Sequence, residues 1–360
     1  MERISTHQFM TLGSSVFMGG TFLLIASFVT NAGRRDGWMA VLPAFALAIP
    51  YGLMVISLSA RYPNENLLGI SEKVLGKLIG KIIGFIYILI SGYYGGLVLA
   101  FIGLIYEQSI MQLVPRWVFY LGGFLLVFYL VSSGIEVFAR FSEVMFPVIA
   151  IALILNFALT LPRIEQGELL PILSEGLKPL FLGGYRIIPF PMIYILFLAG
   201  FLTFLPFDKH KLVELKAGVW RTVFAVGILD TLVVLIQILV FGPEETIRLS
   251  FGILELGKMA EISRTVSGIE SLFMGIWLGA LVIKCCAFFF MTTWGLETVL
   301  KLKGLKWRFL VSAVFLGIAF GFMKGHSLSL QVSFVESYLI SPFAFVWIPT
   351  LWAISRWKEK

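Results

Sequence analysis

Apolar runs of about twenty residues recur along this chain, and the stretches between them are too short to hold a domain. A helix of about 20 apolar residues crosses the hydrocarbon core of a bilayer, and no other open structure satisfies its own backbone there. Ten such segments are predicted, near residues 7–30, 37–60, 80–106, 117–134, 140–161, 185–206, 216–241, 268–295, 305–323 and 334–355. The longest connections, 162–184 and 242–267, are about two dozen residues each. A chain that is 59% apolar and 14% charged lacks the polar residues needed to cover a soluble surface of this size. A single all-α transmembrane domain over residues 1–360 is therefore expected.

Seventeen of the 28 lysines and arginines fall on one side of these segments if both termini are cytoplasmic, and ten fall on the other. That bias places both termini inside. Trp38, Trp117, Trp220, Trp307, Trp352 and Trp357 fall near segment ends, where amphipathic rings suit the interface. The first segment is too long for a signal-peptide core and lacks a small-residue cleavage site, so no cleavable signal is expected. The net charge of +7 is scattered over short loops, which excludes a nucleic-acid surface and leaves membrane lipid as the partner of those charges. The only cysteines, Cys285 and Cys286, are adjacent in an apolar run and read as small buried residues.

The first segment carries the unusual stretch GSSVFMGG, Gly13 to Gly20. Each interior glycine costs a helix about 1 kcal/mol relative to alanine. An unwound backbone survives in hydrocarbon only where protein or a water-filled cavity satisfies it. Gly13, Ser14, Ser15, Gly19 and Gly20 are thus candidate ligand-binding positions on a discontinuous helix, with the Gly19 and Gly20 amides open to a carboxylate. Ten segments divide into two repeats, about 7–161 and 185–355. Transporters built from inverted repeats break the first and the sixth helix at matching places. The sixth segment begins LGGYRIIPFPM, and Pro189, Phe190 and Pro191 are expected to hold a local non-helical stretch. An ordinary proline-marked helix start is the alternative. The expected architecture is a ten-helix, 5+5 inverted-repeat, LeuT-like transporter fold with helices 1 and 6 discontinuous.

Several side chains suit a site at that break. Lys284 lies near the middle of the eighth segment, where a bare charge costs a few kcal/mol or more. It either serves charge coupling, with Asp230 of the seventh segment, or is neutralised in a salt bridge to Asp230 or Glu270. Tyr93 and Tyr94, in the run SGYYGG, either cover a ligand in a central cavity or pack as ordinary aromatics. Glu136 and Arg140 stand one helical turn apart and read as a local surface pair. Residues 243–261 begin with Pro243, Glu244 and Glu245, and Ile247, Phe251, Leu254 and Met259 share a face. That segment is read as a lid or as a helix resting on the membrane surface. The histidines, His7, His210 and His326, have no obvious carboxylate partner within a span. No hydrolase elbow or phosphate-binding loop occurs. An enzyme is not expected, and neither catalytic residues, a cofactor nor a metal site is assigned.

Motifs in order along the chain carry a resemblance. They are Ile4-Ser5-Thr6-His7-Gln8, Asp36-Gly37-Trp38, Arg61-Tyr62-Pro63, Gly134-Ile135-Glu136 with Arg140, Glu143 and Pro147, and Leu170-Pro171-Ile172 with Gly176 and Pro179. The chain resembles the spore germination permeases, the B subunits of GerA-type nutrient germinant receptors in the amino acid–polyamine–organocation superfamily. That resemblance implies a germinant-sensing subunit in the spore inner membrane. It would bind a small nutrient, an amino acid or similar, and act with A-type and C-type receptor subunits. It also implies that Lys284 occupies a place where other members of the fold use a sodium ion, or relays a proton. One departure stands out. The family's sixth helix usually carries a glutamate after the prolines, where this chain reads Pro191-Met192-Ile193-Tyr194. A proton-coupled amino-acid transporter is the alternative function, and an ion or water channel subunit a further one.

Overall fold

The computed structural model describes residues 3–62, 65–109, 111, 113–205, 209–259, 269–302, 304–323 and 328–358. The sequence features at Pro63, Arg264, Lys303, Lys324, His326 and Lys360, and the side chains of Lys209, His210, Lys211 and Glu270, lie outside what is described. Among the described residues every regular element is helical.

The first span is α1 (Thr6–Met18) followed by α2 (Thr21–Gly33), bent by 47° at the break between them. The second is α3 (Trp38–Ala46) with α4 (Ala48–Arg61), continuous in direction although Pro50 withholds the amide that would close the turn at Ala46. A short amphipathic α5 (Leu67–Leu75) leads to the long α6 (Lys77–Ser109), then α7 (Arg116–Ser132) and α8 (Ile135–Thr160). The sixth span is α9 (Lys178–Ile187) with α10 (Pro189–Phe201), and the seventh is α11 (Lys209–Arg248), kinked at Gly242 just before Pro243. After α12 (Gly252–Met259) come α13 (Ile269–Val299), α14 (Leu305–Gly321), α15 (Leu328–Val335) and α16 (Ser341–Trp357). A π turn over Glu336–Ile340 joins the last two.

Among the described residues seven helices are long and apolar enough to cross a membrane, and the bent first pair, taken as one span, makes eight. The expected fourth and ninth segments coincide with α7 and α14, which at 17 residues each fall short of that length. Burial sorts the spans. The windows within 77–108, 178–204 and 273–299 are 89, 83 and 78% buried, against 33% for 135–163 and for 330–357. The third, sixth and eighth spans thus form the interior, and α1 is wedged among α8, α10, α11 and α13.

Two expectations about backbone breaks need correction. Pro189, Phe190 and Pro191 do not hold a non-helical stretch; they form the first turn of α10 and are buried. Ile188 before them keeps helical angles, φ −49° and ψ −37°. Prolines are tolerated in a first turn because the amides there have no helical acceptor in any case. The sixth span is therefore divided in its hydrogen bonding but runs without a sharp bend. In the first span Gly13, Ser14 and Ser15 are helical and buried, so the interruption spans two residues rather than eight.

The outer segment after Gly242 is packed onto neighbouring helices. Ile253, Leu254 and Leu256 of α12 are buried, and the helix packs on α2, α8, α11 and α13. The long 162–184 connection is laid against the start of the second span: buried Asp36 accepts the Leu173 amide at 3.1 Å, and Glu165 donates its amide to the Leu239 carbonyl at 2.8 Å.

Candidate functional site

The α1–α2 break is built from its caps. Ser5 and Gln8 form a reciprocal capping box that starts α1. At the other end Gly19 leaves helical geometry at φ −56°, ψ 105°, and Gly20 is left-handed at φ 90°, a conformation that costs other residues energy. The Gly19 amide is committed to the Ser15 carbonyl at 2.8 Å, so it is not free for a carboxylate as expected. The Thr21 hydroxyl donates to the Phe17 carbonyl at 2.6 Å, satisfying one of the orphaned carbonyls of α1. Among the described residues the Gly20 amide has no acceptor. It stands at the N-terminus of α2, where the helix dipole favours negative charge. Gly19 is required for a different reason: a Cβ there would lie 2.8 Å from the Ala280 carbonyl oxygen, so α1 and α13 touch backbone to backbone.

A cavity enclosing about 290 Å³ of non-atom space, its mouth included, opens at this break. Gly19, Gly20 and Leu24 form one wall, and Tyr94, Val98 and Phe101 of α6 another. Leu281 and Lys284 of α13, with Val332 of α15 and Glu336 of the π turn that follows it, complete it. Phe251, just ahead of α12, sets its ring edge-on to Phe101 at 5.6 Å.

Lys284 is only 2% exposed and makes no hydrogen bond or ion pair among the described residues. Its ammonium lies 5.4 Å from the centre of the Tyr94 ring and 3.7 Å from where a Cβ on Gly20 would stand. The expected salt bridge to Asp230 is absent. Asp230 is fully buried in α11, and neither of its carboxylate oxygens has a hydrogen-bond partner. Its field nevertheless reaches Lys284, as does that of Glu336. Glu336 is buried, and its Oε1 accepts a short hydrogen bond from the Tyr94 hydroxyl.

Of the residues selected from the sequence, the fold brings Gly19, Gly20, Tyr94 and Lys284 to one cavity. The others stand elsewhere. Gly13 packs against the rings of Phe197 and Tyr194 of α10, and the Ser15 hydroxyl accepts from Ser142 of α8 at 3.1 Å. Ser14 is buried within α1, and Tyr93 is only partly buried, packed on the core. Pro189, Phe190 and Pro191 lie in α10, which contributes nothing to the cavity wall. Sequence reading missed Glu336, although an acid set within VSFVESYLI is itself a signal of a functional position in a span. It also gave His7 no partner, whereas His7 Nδ1 is 2.8 Å from Glu143 of α8, whose other oxygen accepts from Gln8 at 3.2 Å. Glu136 and Arg140 form the expected exposed pair at 3.6 Å. Cys285 and Cys286 are free and buried.

With this geometry in hand, comparison with known proteins is informative. Spore germination protein YndE of Bacillus subtilis (strain 168) is 24% identical over 314 residues, which cover 86% of this chain and 84% of that protein. Spore germination protein KB of the same organism is 25% identical over 370 residues, covering 99% and 96%. Among solved structures, MhsT in complex with L-phenylalanine superposes with a TM-score of 0.67 over 97% of this chain and 89% of its own, at 13% identity. A manganese transporter of Eremococcus coleocola gives 0.63 over 97% and 81%, also at 13% identity. At such identity these structures share the fold, which is the LeuT-like transporter fold expected from the sequence. The profile of the family described as spore germination protein matches residues 3–326, and the chain, a multi-pass helical membrane protein, belongs to that family.

Proposed function

We propose that this chain is the germinant-sensing, transporter-like subunit of a spore nutrient receptor, binding a small nutrient such as an amino acid at the α1–α2 break. The observation that carries the reading is the left-handed turn at Gly20, whose amide has no acceptor among the described residues, in the wall of a cavity shared with Lys284, Tyr94 and Glu336. Family membership supports the germination role, and the fold it shares with a protein crystallised with L-phenylalanine supports a small solute. In this reading the chain folds as two repeats of five helices, about 7–161 and 185–355, in the spore inner membrane with both termini cytoplasmic. Occupancy stabilises the conformation that binds better, and A-type and C-type subunits read that shift.

The test is the dose response of spores carrying Gly20→Leu, a side chain that fills the cavity. The expected outcome is a rightward shift of the response at unchanged membrane abundance. An unshifted response at normal abundance would remove the cavity from the function. A second reading, a proton-coupled amino-acid transporter, draws support from buried Asp230, whose carboxylate oxygens have no hydrogen-bond partner among the described residues. Uptake by the purified chain in proteoliposomes, driven by a proton gradient, would favour it.

A further inference from the structure

The cavity is lined by a base, Lys284, and an acid, Glu336, that make no ion pair with each other. Glu336 opens the π turn between α15 and α16. Such turns widen the helix by one residue and recur at functional sites. Here the Ser341 hydroxyl donates to the Glu336 carbonyl at 2.8 Å, holding the wide turn in place. The Tyr94 hydroxyl fixes Glu336 Oε1, and the Tyr94 ring is itself packed on Phe288 at 4.7 Å. Oε2 accepts no hydrogen bond among the described residues, and the residue lines the cavity.

Lys284 lines the same cavity and makes no hydrogen bond or ion pair among the described residues. Were the two charges paired with each other, the site would be neutralised internally and nothing would be left for a solute. Instead the Tyr94 hydroxyl is on the carboxylate, and its ring centre lies 5.4 Å from the Lys284 nitrogen. A buried ammonium next to the open Gly20 amide is completed by an anionic group, and a buried carboxylate oxygen by a cationic donor. Leu24, Val98, Phe101, Leu281 and Val332 supply the apolar remainder.

We propose that Glu336 is the specificity-determining residue for the amine of the ligand, with Lys284 taking its carboxylate, so that the cavity reads a zwitterion with an apolar side chain from both ends. This rests on the cavity being the nutrient site. The test is calorimetric titration of the purified full chain with L-alanine, L-valine, L-leucine and L-phenylalanine. Each is compared with its deaminated acid and its decarboxylated amine. For at least one skeleton the zwitterion is expected to bind roughly 10- to 100-fold more tightly than either truncated analogue, the range for a charge-assisted hydrogen bond. Glu336→Gln keeps the Tyr94 hydrogen bond and is expected to lower zwitterion affinity to that of the acid, leaving the acid unchanged. Lys284→Met is expected to do the reverse, sparing the amine. Should Glu336→Gln not fold, Glu336→Asp is expected to weaken the zwitterion severalfold while preserving its preference over the acid. Saturable binding with an unaltered zwitterion-to-acid ratio in the Glu336 variant overturns this inference and leaves the nutrient site standing. No saturable binding of any probe to the wild-type chain overturns the site, and this inference with it.

Discussion

Substituting Gly20 by alanine tests the break directly, because two geometries for the first span predict opposite signs. At φ 90° a Cβ would have Leu281 Cδ2 and Lys284 Nζ as its nearest neighbours, both at 3.7 Å, so a methyl fits without collision. The cost is then conformational. A non-glycine residue in the left-handed region loses about 1–2 kcal/mol. Alanine also restricts the unfolded chain and returns about 0.4–1 kcal/mol. The net expectation is a destabilisation of roughly 0.5–1.5 kcal/mol. Were α1 and α2 one continuous helix, the same change would instead stabilise by about 1 kcal/mol, the ordinary advantage of alanine over glycine in a helix interior. Reversible unfolding of the purified chain in mixed micelles measures the difference. Gly20→Asn is the control, since asparagine tolerates left-handed angles better and should lose less than alanine. A Gly20→Ala protein more stable than wild type would refute the break, and with it the exposed amide on which the cavity's chemistry depends.

Two further outcomes follow from contacts elsewhere. Gly19→Ala places a Cβ 2.8 Å from the Ala280 carbonyl and 3.0 Å from that of Ser15, neither of which can yield as a side chain does; an overpacking cost of about 1–3 kcal/mol is expected in the same unfolding assay. Because this position is a helix contact, a loss of germinant response in Gly19 variants would report packing, which is why Gly20 is the better probe of binding. Arg116→Met should destabilise by about 1–3 kcal/mol, since its guanidinium joins three helices, with Nε donating to Glu107 at 2.6 Å and NH1 to the Phe322 carbonyl at 3.1 Å; a midpoint equal to wild type would show that this junction contributes nothing.

What the sequence made legible follows the range of the forces involved. Apolar runs report directly on the bilayer, so the long spans were readable one by one. The adjacent glycines 19 and 20 likewise announced a local break, and a break is a property of a few consecutive residues. The same logic over-read Gly13, Ser14 and Ser15. Small residues in a membrane helix serve equally to let a neighbour approach, and only the position of Phe197, Tyr194 and Ser142 decides between the two uses. Pro189 and Pro191 carried a similar ambiguity, since proline both breaks helices and starts them. Glu336 was overlooked because it lies near the estimated start of the last segment, where an acid passes for an interfacial one. The π turn that rotates it inward depends on Ser341 and Tyr94 as much as on its own neighbours.

The arrangement of charge is the least local property of all. Lys284, Tyr94 and Glu336 meet from three different spans, and Asp230 acts on Lys284 from a fourth without touching it. A lysine deep in a span is costly wherever it lies, so the sequence alone argues for a neutralising partner, and Asp230 was the obvious candidate. The fold leaves that partnership unmade and presents the ammonium to a cavity instead. A buried amine without an internal partner either meets an anionic group from outside the chain or gives up its proton. In the proposed site, the Gly20 amide near Lys284 and the Glu336 carboxylate held by Tyr94 would be met together by a solute charged at both ends.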